Sequence, residues 1–167
     1  NPNQDGRPLT GSEIAAAKNI FGNKIDYSKV KIATKNIGLW GKLMTLGIPN
    51  GSAVTSGYTI YFPGYTPGNP GDSGVLMHEM THIYQRETHG WLDFQWKKLT
   101  GGNGTYTPAL IASKSFTDYK FEEQGAIIQA YSSGQVVRPS GQNTPRDLTP
   151  DEKALIETML KNAGLLK

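Results

Sequence analysis

Between residues 10 and 21, the apolar positions Ile14, Ala15, Ala17, Ile20 and Phe21 recur at helical spacing, and Thr10 or Ser12 can cap the start. The period then changes. Val30 and Ile32 alternate with polar neighbours over residues 29–34, which predicts a strand. Residues 38–57 are Gly-rich and read as loop with short strands. The run GYTIYF, residues 57–62, is aromatic and β-branched and is stopped by Pro63-Gly64, so it predicts the clearest strand of the chain. A loop follows in which Asp72 or Ser73 can cap a helix expected over residues 74–87 and ended by Gly90. Residues 100–108 read as another loop and residues 117–131 as a second helix. A polar connection over residues 138–146 leads to a last helix, capped by Thr149, with Pro150 at its first position and Asp151 and Glu152 in its first turn. No repeat or low-complexity tract is read.

The pattern predicts an α+β chain, mainly helical with a short β-sheet. With 167 residues, 37% of them hydrophobic, there is enough chain for one packed domain, assigned to residues 10–167. Residues 1–9 read as a flexible N-terminal segment or the end of a linker. The chain starts at Asn1 with no signal-type leader, so a processed product or a piece of a larger protein is expected. No apolar run approaches the ~20 residues of a membrane span. The net charge of +3 is mild and the lysines are scattered, which argues against a nucleic-acid partner. There is no cysteine, so a metal would have to be held by His, Asp or Glu.

All three histidines fall within residues 74–90, GVLMHEMTHIYQRETHG. At ~100° per residue, Leu76, Met77, Met80, Ile83 and Tyr84 share one arc of about 120°. Val75, His78, Glu79 and His82 occupy a separate arc. The helix is therefore expected to have an apolar face for the core and a second face for chemistry. His78-Glu79-Met80-Thr81-His82 is an HExxH pattern, which sets two imidazoles one turn apart where they can grip one cation. A zinc peptidase needs three protein ligands and an open position for water, whose proton a neighbouring carboxylate takes. Glu79 fits the catalytic base, and His78 and His82 fit two of the zinc ligands.

A third ligand has to come from elsewhere. His89 lies seven residues from His82, about 10 Å along a helix, which is too far to share the ion. A substrate-contacting position at the rim suits it better. The adjacent Glu122 and Glu123 are the stronger source. Ala126, Ile127 and Ala130 share the side of Glu123, while Gly125, Ala126 and Gln129 form a more polar row beside Glu122. A buried carboxylate is costly unless a metal compensates it. Glu123 is therefore taken as the third metal ligand, with Glu122 as the alternative.

At these residues the chain resembles the zincin-type metallopeptidase toxin domains found at the C-terminal ends of VgrG spike proteins of bacterial type VI secretion. The matching segments are LTGSEIAAAKNIFGNKIDYSKVKI, GYTIYF, LMHEMTHIYQ and FEEQGAIIQAY, which together span residues 9–131. Tyr84 and Gly125 depart from the family, which often has Trp and Gln there. The resemblance implies a small zincin-like fold, one zinc per chain and the roles given above for His78, Glu79, His82 and Glu123. It also implies a peptide or protein substrate, a parent spike protein and an immunity protein in the producing cell. Delivery into a target cell follows, with the periplasm as a candidate compartment. By analogy, the strand at residues 58–62 lies at the cleft edge and pairs with substrate, which assigns substrate contact to Thr59 and Tyr61 on one of its faces. Hydrolysis of cell-wall peptide stems, and a degenerate zincin acting as an adaptor, are the competing readings.

Overall fold

A computed structural model describes residues 6–34, 53–92, 108–136 and 145–166. Its elements, in chain order, are β1 (Arg7–Pro8), α1 (Gly11–Phe21), β2 (Lys31–Ala33), β3 (Val54–Ser56), β4 (Thr59–Tyr61), α2 (Pro70–His89), a 3-10 turn (Phe116–Asp118), α3 (Phe121–Ser133), β5 (Gln135–Val136), β6 (Arg146–Asp147) and α4 (Pro150–Asn162). The mixed α+β composition agrees with the hydrophobic pattern.

The first four strands form one sheet in the order β1-β2-β4-β3. β2 runs parallel to β4 with Ile32 opposite Ile60, while β1 and β3 are antiparallel to their neighbours. Strand β4 is thus paired on both sides, and among the described residues β1 and β3 are the edges. This corrects the expectation that the strand at residues 58–62 borders the cleft. The assignment had rested on analogy, and strand order depends on pairings between distant segments that a single strand's pattern does not carry. Thr59, Ile60 and Tyr61 are all buried, so both faces of β4 are covered.

Arg7 and Pro8, expected in a loose N-terminal segment, pair with Ile32 and Lys31. What holds them is a buried carboxylate. Glu13 accepts from both terminal nitrogens of Arg7 at 2.8 and 2.9 Å, from the backbone N–H of Thr10 at 2.7 Å and from the Tyr65 hydroxyl at 3.0 Å. Thr10 in turn accepts from the Glu13 N–H, which closes a capping box at the start of α1. The same arrangement recurs at α4. Arg146 grips Glu152 at 2.6 and 2.8 Å, and Glu152 forms a capping box with Thr149. The two helix starts read Arg-Pro-Leu-Thr-Gly-Ser-Glu and Arg-Asp-Leu-Thr-Pro-Asp-Glu, so the chain does contain a short repeat.

Helix α2 begins four residues before the expected start. Asn69, not Asp72 or Ser73, is its N-cap, accepting from the Asp72 N–H at 3.2 Å, and Pro70 takes the first turn, where its missing N–H costs nothing. Asp72 instead accepts from the N–H of Thr66 and fastens the preceding loop. Leu76, Met77, Met80 and Ile83 are at most 2% exposed, and Phe21 lies against Tyr84 with ring centroids 5.7 Å apart. Each such buried aliphatic side chain contributes roughly 2 kcal/mol of transfer free energy. The other face of α2 packs on α3. At Gly74 an added Cβ would lie 2.9 Å from the Cβ of Ser133 and 3.2 Å from the carbonyl oxygen of Gln129, so this approach requires glycine.

Candidate metal centre

The chemical face of α2 is as buried as its apolar face, because α3 covers it. His78 and His82 are each 4% exposed and Glu79 is 6% exposed. The two rings stand nearly edge to face with centroids 5.1 Å apart. One donor atom each from His78, Glu79 and His82 falls within a group whose members are no more than 4.8 Å apart. Across the helix seam, the carboxylate of Glu122 spans both imidazoles. Its Oε2 is 3.2 Å from Nε2 of His78 and its Oε1 is 3.4 Å from Nε2 of His82.

The rear nitrogen of each ring faces an amide oxygen. Nδ1 of His78 lies 3.1 Å from Oε1 of Gln129, and Nδ1 of His82 lies 2.9 Å from Oε1 of Gln85. With Nδ1 held as a donor, Nε2 is the atom turned to the shared space in front of Glu122. Gly125 makes that space possible. A Cβ there would approach Nε2 of His78 to 2.7 Å and two ring carbons to 2.9 Å. On the far side of the helix, the Thr55 hydroxyl on β3 donates to Oε2 of Glu79 at 2.7 Å.

The electrostatics couple the glutamate to the imidazoles. Burial pushes the Glu122 carboxyl up, but the hydrogen bonds from His78 and His82 outweigh it and hold the group well below the usual carboxylate range. Burial pushes His82 down, yet the hydrogen bond to Glu122 and the charges of Glu79 and Glu122 raise it overall. Two imidazole nitrogens and one carboxylate are a donor set that zinc accepts, with a fourth position left for water.

The adjacent glutamates are placed otherwise than expected: Glu122 faces both imidazoles and Glu123 does not. Glu123, taken as the third ligand, turns back to accept from the N–H of Lys120 at 2.9 Å and caps its own helix. It occupies the third position of α3, where a capping-box carboxylate belongs. The expected helix ran unbroken from residue 117, and that start concealed the capping position. The polar row of Glu122, Gly125 and Gln129 was the available signal, since all three residues touch or closely approach His78. Thr59 and Tyr61 are 1% and 0% exposed on an interior strand, so neither is presented at an open edge. His89 is exposed at the end of α2, its ring centroid 5.4 Å from that of Phe121. Gln85, Gln124, Gln129 and Thr55 were not anticipated as parts of the site.

The fold and site together define a two-helix centre in which an HExxH helix faces a glutamate from a second helix. Residues 48–90, which carry β3, β4 and the HExxH helix, match the family described as the eCIS core domain. The chain is 29% identical over 131 residues to the type VI secretion system spike protein VgrG2b of Pseudomonas aeruginosa. That alignment takes in 75% of this chain and 13% of the spike protein. The solved effector domain of Pseudomonas aeruginosa VgrG2b is similar over 99% of this chain and 86% of its own, with a TM-score of 0.58 and 26% identity.

Proposed function

We propose that the protein is a zinc-dependent metallopeptidase domain delivered by a type VI secretion spike as an antibacterial effector, with His78, His82 and Glu122 as the zinc ligands. The observation that carries this reading is the single Glu122 carboxylate placed against both Nε2 atoms of an HExxH helix. The similarity to a VgrG2b effector domain supports the delivery route. A peptide or protein substrate, a spike partner and an immunity protein in the producer belong to the same proposal.

Zinc in such a centre lowers the pKa of a bound water to about 7 and polarises a carbonyl. The chain's own residues supply the remainder. Glu79 accepts the proton of the attacking water and returns it to the leaving amine. Thr55 donates to Oε2 of Glu79 and so holds the orientation of that carboxylate. Burial of the site excludes bulk water and strengthens each of these interactions.

The test is Glu79→Gln beside wild type, measuring zinc per chain, hydrolysis of an unfolded protein and of purified cell wall, and toxicity in a target cell. Retained zinc with lost hydrolysis and toxicity is expected. A variant as active as wild type on both substrates would overturn the assignment. Activity on cell wall alone would move the substrate to peptide stems.

A further inference from the structure

The amides behind the two imidazoles form a hydrogen-bond chain whose direction is set by backbone. Nε2 of Gln124 donates to the carbonyl oxygen of Tyr119 at 2.9 Å, which leaves Oε1 of Gln124 as an acceptor. Nε2 of Gln85 donates to that oxygen at 3.0 Å and to the carbonyl oxygen of Phe121 at 3.0 Å. A carbonyl can only accept, so neither amide can be flipped without setting acceptor against acceptor. Oε1 of Gln85 is therefore the atom that meets Nδ1 of His82 at 2.9 Å, and Nδ1 carries the hydrogen. Gln85 and Gln124 are 0% and 5% exposed, so water does not compete for these bonds. On the other ring, Oε1 of Gln129 takes the same position behind His78. The glycine at position 74, where a Cβ would stand 3.4 Å from Cγ of Gln129, lets that side chain lie close along α2.

We propose that Gln85, backed by Gln124, and Gln129 are positioning residues for the metal, which hold Nδ1 of both histidines as donor and direct both Nε2 atoms at one point before Glu122. The inference rests on the reading of His78, His82 and Glu122 as ligands. Neutral amides suit this centre for an electrostatic reason. A divalent cation would balance the two carboxylates at the centre, buried Glu79 and partly buried Glu122. A carboxylate behind either ring, the commoner arrangement, would add a negative charge with no partner. Amides orient the rings without it.

The experiment compares zinc binding, by competition with a chromophoric chelator, for wild type, Gln85→Met, Gln129→Met and Gln129→Glu. Methionine keeps approximate shape and removes the acceptor; glutamate at 129 restores an acceptor. The methionine variants should bind zinc 10- to 100-fold more weakly, the usual effect of losing such a partner, and Gln129→Glu, which keeps an acceptor but adds the unpartnered charge, should recover only part of the loss. Long-range 15N spectra of the zinc-loaded proteins should show Nδ1–H on both rings in wild type and a mixed or broadened pattern in the methionine variants. Circular dichroism tests the fold of each, and if Gln85→Met does not fold, Gln129→Met, which interrupts one bond, decides the matter. Wild type that takes up zinc while folded variants bind it equally tightly would overturn this inference and leave the ligand assignment standing. Wild type that takes up no zinc would overturn both.

Discussion

Gly125 lies against the imidazole of His78 so closely that a methyl group in its place would come within 2.7 Å of Nε2. Relief requires the ring or helix α3 to shift, and either movement disturbs the contact between His78 and Glu122. Alanine is otherwise favoured over glycine inside a helix by roughly 0.5–1 kcal/mol. Gly125→Ala should therefore weaken zinc binding at least tenfold, and overpacking against the ring should offset any gain in helix propensity, so that the metal-free protein melts at a lower temperature. Chelator competition and a melting curve on the same sample read the two effects separately.

The proposed assignment of Glu122, and not Glu123, as the third ligand gives the two glutamates opposite signatures. Glu122→Gln removes the carboxylate shared by both imidazoles and should abolish stoichiometric zinc binding. Glu123→Gln should keep the metal and cost at most about 1 kcal/mol, the value of one helix cap, seen as a lowered urea midpoint. Elemental analysis of the two proteins, prepared in parallel, is the check. The reverse pattern would return the ligand role to Glu123.

In the proposed mechanism Thr55 acts through Glu79, to which its hydroxyl donates. Thr55→Val removes the hydroxyl that fixes Oε2 and should reduce peptide hydrolysis by about tenfold without changing zinc content, and Thr55→Ser should restore it. A valine variant with unchanged turnover would remove Thr55 from the mechanism.

Strand β4 is hydrogen-bonded along both edges, so a proline within it removes a ladder donor whichever way that N–H points. Thr59→Pro should destabilise the domain by about 3 kcal/mol or more. Loss of the cooperative melting transition is the expected readout.

Acid should loosen the start of the chain. Burial raises the Glu13 carboxyl, but the bonds from Arg7, the Thr10 N–H and Tyr65 prevail and hold it at about 2. A carboxyl lowered from an unfolded value near 4.5 stabilises the fold above that pH and loses its contribution as pH falls toward 2. On the order of 2 kcal/mol is expected from it, after allowance for solvent screening. Arg7→Ala should lower the urea midpoint at pH 7 and flatten its decline between pH 5 and pH 2.

The sequence made some parts of this site legible and hid others for specific reasons. The segregation of Leu76, Met80 and Ile83 from His78, Glu79 and His82 is a property of one helix, and one helix's period reveals it. The apposition of Glu122 is a property of two helices, and it turned on where α3 begins. The 3-10 turn at Phe116–Asp118 interrupts the apparent periodicity, moves the true start to Phe121 and thereby makes Glu123 a cap. β1 is two residues long and has no period to read, and its position depends on the distant pairing with β2. The recurrence of Arg-x-Leu-Thr-x-x-Glu was in plain view in the sequence. Its meaning depends on an arginine reaching six residues forward to a capping carboxylate.

The amide chain from His82 through Gln85 to Gln124 also fixes how α2 and α3 mesh. Apolar side chains alone tolerate a slip of one helix along another, because one aliphatic contact can replace the next. Bonds that end on two particular carbonyls, those of Tyr119 and Phe121, admit a single alignment. The polar seam is thus a key for assembly as well as a backing for the two imidazoles. Substitutions at Gln85 or Gln124 should loosen that alignment even where the domain still folds.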